Sequence, residues 1–379
     1  MAEGLPAASR PLRRGDFNLS AFRRANNWRA GWQLATTLLP TALLWALVPL
    51  VWAAGAWQRL WLLPLLAALV LFSARSFSLM HDCGHGSLFR NPRLNRCAGF
   101  LLGGLNAIPQ YPWSRGHAFH HKHNGNWERY RGPSALLSVE QFLKLPAGQQ
   151  RLYGITRHPL MLFPGGFFYL ILRPRLQLLL GSGEWIAAMA AHLRRDGWRG
   201  LAVLPRHTLA FRSSHWYTRG ELVDLVANTV VVLMSWWLMG QWLGHGLFWS
   251  CYAAVMTFSA AIFICIFFVQ HNFPGSYAHG TDDWSYFQGA MAGSSNLLLP
   301  QLLHWFSADI AFHSIHHLCE RIPNYRLRAC HEANRHLLND CTYLSLADIP
   351  GCFDLILWDS EKRQLVSMTQ ALTSRPVQA

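Results

Sequence analysis

Residues 34–57 read LATTLLPTALLWALVPLVWAAGAW, and residues 60–79 read LWLLPLLAALVLFSARSFSL. The first run carries no charge; the second carries only Arg75, near its end. A helix crosses the hydrocarbon core of a bilayer with about 20 apolar residues, so each run is long enough to span. An arginine that close to an interface can snorkel to the headgroups without disqualifying the span. Two further runs, about 222–244 and 247–270, have the same character. The linkers inside each pair are very short. The expected fold is therefore an all-α integral membrane protein: four transmembrane helices in two hairpins, with a cytoplasmic helical cap. Residues 1–33 read as an N-terminal cytoplasmic segment, 34–340 as the membrane domain and 341–379 as a C-terminal cytoplasmic tail.

Composition agrees. Of 379 residues, 51% are hydrophobic and 14% charged. Soluble domains carry about 25% charged residues, and disordered chains are poor in apolar ones, so neither class fits. The net charge of +14 is unevenly placed. Six Lys/Arg precede the first span, eighteen lie between His81 and Leu222 and seven follow His271, while the two hairpin tips carry only Arg59. Positive residues stay on the cytoplasmic side, which puts both termini and the central region there, facing anionic lipid headgroups. No nucleic-acid motif accompanies the basic excess, so a nucleic-acid partner is not expected. The shorter apolar stretches Cys97–Pro112 and Leu160–Leu172 read as interfacial or re-entrant. The first 30 residues do not resemble a secretory leader. Eight cysteines without a CxxC pair read as reduced structural thiols. Residues 181–221 carry no readable motif.

Histidine is over-represented, 19 against 19 acids in total. Three clusters stand out: His81-Asp-Cys-Gly-His85, His117-Ala-Phe-His120-His121 and His313-Ser-Ile-His316-His317. On a helix, residues i, i+3 and i+4 share a face. HxxxH thus stacks two imidazoles one turn apart, and HxxHH puts two on one face with a third to the side. His271, alone, would more often be a packing residue, but it ends the fourth span on the same predicted side. Nine imidazoles (His81, His85, His117, His120, His121, His271, His313, His316 and His317) can therefore meet at one surface. One zinc site uses three or four ligands, so nine suffice for two metals. Imidazole suits zinc, copper, iron and nickel alike, so the residues do not name the metal. Asp82 and Asp309 are plausible acceptors that orient ligand imidazoles, although Asp82 fits a helix cap equally well. His123 and His304 are the other histidines expected nearest the metals. His245 falls on the opposite side, and His158, His192, His207, His215, His279, His331 and His336 match no cluster.

At these residues the chain resembles the membrane fatty acid desaturases. The matching runs are HDCGHGSLF from His81, HAFHHKHN from His117, VQHNF at the end of the fourth span and HSIHHLCERIPNYRL from His313. The resemblance covers roughly residues 30–340, and the tight HxxxH spacing is similar to the acyl-lipid branch. It implies a centre of two non-haem iron ions held by histidines, O₂ as co-substrate, and removal of two hydrogens from a long acyl chain of a membrane lipid. An unactivated methylene has no acidic proton, so a cofactor must supply the oxidising power and the protein the position. No His-Pro-Gly-Gly signature and no Rossmann or flavin motif is present. A separate electron donor, ferredoxin or a cytochrome b5-type protein, is therefore implied. Arg129, Arg131, Arg194, Arg195 and Arg199 could dock it or contact lipid. Ser314 stands where related sequences often carry His, and Asp309 where they often carry Asn.

Other outcomes use the same boxes: hydroxylation, acetylenation or carotenoid oxidation. A histidine-rich metal transporter would carry histidines along its spans, and these spans carry none before His271. A membrane zinc hydrolase would need fewer ligands.

Overall fold

The computed structural model describes residues 11–129 and 136–373. Among them, four helices are long and apolar enough to cross a membrane: Asn27–Ala53, Gln58–His85, Arg219–Leu243 and His245–Val269.

Helix α1 (Asn27–Ala53) starts seven residues before the apolar run does. Hydropathy marks where lipid begins, whereas a cap marks where the helix begins. The Asn26 side chain accepts from the backbone N–H groups of Trp28 and Arg29, satisfying donors that a first turn leaves open. Helix α2 (Leu62–His85) also outruns its apolar segment. The first histidine cluster is therefore the last turn of a spanning helix, not a segment beyond it. Gly86 ends that helix in the left-handed region, at φ 65°. Its N–H donates to the Cys83 carbonyl, and the Ser87 N–H reaches back to Asp82. Arg75 does not snorkel. It is 2% exposed, held by the Thr37 hydroxyl and the Trp305 carbonyl.

Two helices follow, α3 (Pro92–Leu105) and α4 (Gln110–His123). Asn91 caps the first, and Pro92 occupies the position where a missing N–H costs nothing. They take up the Cys97–Pro112 stretch. Short helices α5 (Val139–Leu143), α6 (Ala147–Arg157) and α7 (Leu162–Phe167) lead through one π turn into α8 (Arg173–Asp196) and α9 (Gly200–Ala210). Helix α10 (Arg219–Leu243) opens with a capping box of Thr218 and Glu221. Gly244, at φ 79°, turns the chain into α11 (His245–Val269). Helix α2 packs on α1, α3 and α11, and α11 also packs on α7 and α10. Leu69, Leu79, Met80, Phe248 and Val255 fill the space between these helices. On their outer faces Leu39 is 70% exposed and Trp237 60%, which water would not tolerate in such number but lipid covers.

After α11 come α12 (Tyr286–Met291), α13 (Gln301–Phe306), α14 (His313–Leu318) and α15 (Asn324–Ala333). Strand pairing is minor: Asn296–Leu297 runs parallel to Tyr343–Leu344, and Leu357–Asp359 lies between Leu137–Ser138 and Gln364–Val366. The stretch read as a C-terminal tail is folded onto the domain as far as it is described. Leu357, Val366 and Ala371 bury with Phe142, and Phe353 stacks on Phe268 at 5.0 Å. All eight cysteines are free thiols.

Candidate metal centre

The end of α2, the helices α4 and α14, and the turn after α11 each contribute histidines to one buried nest. The nine divide into two groups. His81, His85, His117, His121 and His316 form one, and His120, His271, His313 and His317 the other; the nitrogens of each group lie within 4.8 Å of one another. The helical register explains the division. On α4, His117 and His121 share a face and His120 points aside; on α14, His313 and His317 share a face and His316 points aside. Each HxxHH cluster thus gives two imidazoles to one group and its third to the other. The groups adjoin, with the His121 and His317 rings stacked at 4.1 Å.

The nitrogens face one another. His81 Nε2 lies 3.3 Å from His85 Nε2 and 2.8 Å from His117 Nε2. His117 Nε2 is 3.0 Å from His121 Nε2, and His313 Nε2 is 3.1 Å from both His271 Nε2 and His317 Nε2. Several Nδ1 atoms face groups that can only accept. Asp82 stands 3.3 Å from His81 Nδ1, Glu320 3.4 Å from His85 Nδ1, and the Gly293 carbonyl 2.9 Å from His271 Nδ1. Nδ1 must carry the proton there, which leaves Nε2 a bare lone pair. His81 and His85 then aim two lone pairs at each other across 3.3 Å, which repels unless a cation lies between them. The donor set suits a divalent metal in each group, held by imidazoles whose far nitrogens are anchored.

Burial reinforces this. It pushes the pKa of His117, His120, His121, His313, His316 and His317 well below the usual histidine range, and neighbouring imidazoles push further the same way. His271 is lowered by burial to about 4. Neutral imidazole is the form that binds metal.

Of the expected orienting residues, Asp82 is in place. Its other oxygen accepts from the Asn324 backbone N–H at 2.7 Å and side-chain amide at 2.8 Å. Asp309, His304 and His123 do not reach the nest. Asp309 faces His304 at 3.2 Å and Arg328 at 3.0 Å. It sits at φ 55°, in the left-handed region that Asp and Asn tolerate best, so its place is explained by the turn. His123 stacks on Phe119, one turn back on its own helix. His245 lies at the far tip against Gln241. Arg195 is exposed beside Asp196, and Arg131 lies outside the described residues.

Sequence reasoning missed Glu320, Trp113 and Asn324. Glu320 also approaches His121 Nδ1, at 3.8 Å, and its bond to His85 holds its carboxyl below the usual range. Trp113 stacks on His117 at 4.8 Å. Its spacing, four residues before His117, was a usable signal; Glu320 lies beyond the end of α14, where no periodicity reports orientation. Phe77 and Phe267 complete an aromatic floor on the membrane side: the Phe267 ring is 5.5 Å from His117, and Phe77 packs edge-on against both Trp113 and Phe267.

Comparison with known proteins agrees with this site. The family model described as "Fatty acid desaturase" matches residues 57–346. A protein named "Fatty acid desaturase" from Bacillus subtilis (strain 168) is 28% identical over 95% of this chain and 91% of its own length. An Arabidopsis thaliana protein, "Temperature-sensitive sn-2 acyl-lipid omega-3 desaturase (ferredoxin), chloroplastic", is 25% identical over 78% of this chain and 58% of its own. A Nostoc protein named "sn-1 acyl-lipid omega-3 desaturase (ferredoxin)" is 24% identical over 70% of this chain and 64% of its own. With the family match covering all nine histidines of the nest and three of the four apolar helices, this chain belongs to the fatty acid desaturase family.

Proposed function

We propose that this protein is an acyl-lipid desaturase that removes two hydrogens from adjacent carbons of a long acyl chain, using two iron ions held by the five-histidine and four-histidine groups. The observation that carries this reading is the division of nine buried imidazoles into two adjoining sets. When bound, histidine-held iron with O₂ supplies the oxidising power that an unactivated C–H bond requires. The balance is two hydrogens from the chain, two protons and two external electrons, reducing O₂ to two waters.

The chain's own residues do the rest. Asp82, Glu320 and the Gly293 carbonyl keep the Nδ1 protons in place and so keep Nε2 directed inward. Phe77, Trp113 and Phe267 form a dry surface below His81 and His117, against which an alkyl chain can lie. Both termini and the nest face the cytoplasm on this reading, because the basic residues gather on that side. The electrons come from a separate carrier, ferredoxin or a cytochrome b5-type protein. Ferredoxin is supported by the names of the Arabidopsis and Nostoc relatives. The basic residues Arg129, Arg194, Arg195 and Arg199 suit an acidic carrier.

The test combines metal analysis of the purified protein with mass spectrometry of fatty acids from cells with and without the gene. About two irons per chain and a new double bond support the reading. One zinc without iron, or an oxygenated chain, would overturn it.

A further inference from the structure

A cavity of about 620 Å³ opens between the start of α1, the middle of α2 and the α13–α15 region. Its walls include Arg29, Arg75, Trp305 and Asn324, with Trp28 and Trp32 at the rim. Arg75 is the odd feature. It is 2% exposed, and its guanidinium lies 3.7 Å from the Trp305 ring centroid. Its Nε donates to the Thr37 hydroxyl at 3.1 Å and its Nη1 to the Trp305 carbonyl. A guanidinium has five N–H donors, so these two bonds leave three. Among the described residues no carboxylate comes within ion-pair reach of it. The acid that lines the cavity, Asp309, is engaged by Arg328 at 3.0 Å and His304 at 3.2 Å. Asp309 attracts Arg75 only from beyond ion-pair distance. That makes the buried cation costly, and here it stands beside an open cavity with a second arginine, Arg29, in its wall.

The cavity's level in the molecule says what could enter. It lies on the His81 half of α2, where two tryptophans at the start of α1, 90% and 70% exposed, take the place of an interfacial aromatic belt. We propose that this cavity binds the headgroup phosphate of an anionic phospholipid, with Arg75 as the buried cation and Arg29 as the outer one. The site also touches the nest. Asn324 donates to Asp82 at 2.8 Å, and Asp82 holds His81 Nδ1, so an occupied headgroup site stands two hydrogen bonds from the histidines. The binding itself does not depend on the chemistry proposed there.

The experiment uses the full chain in detergent, read by native mass spectrometry. It is titrated separately with dioctanoyl-phosphatidylglycerol, dioctanoyl-phosphatidylcholine and inorganic phosphate. Phosphatidylglycerol is expected to bind saturably, Arg75→Gln to weaken it at least about tenfold, and Arg29→Gln about threefold. Equal affinity for phosphatidylcholine, displacement by inorganic phosphate at the same concentration, or unchanged binding in a monodisperse Arg75→Gln protein would overturn the proposal. Should Arg75→Gln not fold, the exposed Arg29→Gln variant decides: weakened binding supports the site and unchanged binding refutes it.

Discussion

His121 Nε2 lies 3.1 Å from His316 Nε2, although 195 residues separate the two in sequence. One imidazole comes from α4 and the other from α14, and each belongs to a helix whose cluster is divided between the two groups. The two HxxHH helices are thus interlocked: neither histidine group is complete without both. Replacing His120 or His317 with Ala is expected to lower product formation by more than about 100-fold, beyond what loss of an orienting partner costs. Membrane insertion should be intact, since neither residue lies in a spanning helix. Iron content and fatty acid profile of the membranes check this together; full activity in either variant would refute the ligand assignment.

Asp82 and Asp309 were indistinguishable as candidate orienting acids, but the fold separates them. Asp82→Asn removes the charge that holds His81 Nδ1 and is expected to cost about 10- to 100-fold in activity or iron affinity. Asp309→Asn keeps the turn and leaves the nest untouched, so iron content should not change. Parallel metal analysis of the two variants is the measurement.

Gly86 ends α2 at φ 65°, directly after His85. A Cβ there would meet only Arg321 Nη1, at an ordinary 3.6 Å, so the cost of Gly86→Ala is conformational. It is expected to be about 1 kcal/mol, seen as a lower unfolding temperature in detergent. His245→Ala, at the opposite tip, should stay within about 0.5 kcal/mol and leave product formation unchanged.

Acid should destabilise the metal-free protein in a defined window. In an unfolded chain His271 takes up its proton near 6.5, whereas in the fold burial lowers this to about 4. Between those values the unfolded chain binds more protons. The stability from keeping His271 neutral is therefore fully present above about 6.5 and lost as pH falls through about 4. The six other nest imidazoles outside the spans shift the same way and steepen the loss. Denaturation of chelator-treated protein across this range measures it; flat stability from 7 to 4 would contradict the burial of the nest.

Much of this was legible in the sequence because it depends on local periodicity. Four apolar runs gave four helices, and HxxxH and HxxHH spacing placed imidazoles on helix faces. Helix ends depart from the ends of the apolar runs where a cap, not hydropathy, sets the boundary: Asn26 begins α1 early and Gly86 lets α2 run through the first cluster. Glu320, Asn324 and Phe267 were not legible, because their relation to the histidines is made across the fold. The C-terminal stretch reads as a tail because it carries no motif and no run long enough to span, yet Phe353, Leu357 and Val366 each find a partner distant in sequence.

What the sequence determined alone was the kind of molecule: a four-span membrane protein with nine histidines of metal-binding spacing. Periodicity of 3.6 residues and about 20 apolar residues per span are enough for that. Only the tertiary structure decided that the nine divide five and four, that Asp82 rather than Asp309 holds an imidazole, and that Arg75 is buried beside a cavity instead of reaching for the lipid surface. Those outcomes depend on how α2, α4, α11 and α14 meet, and side chains brought together by packing leave no periodic trace along the chain.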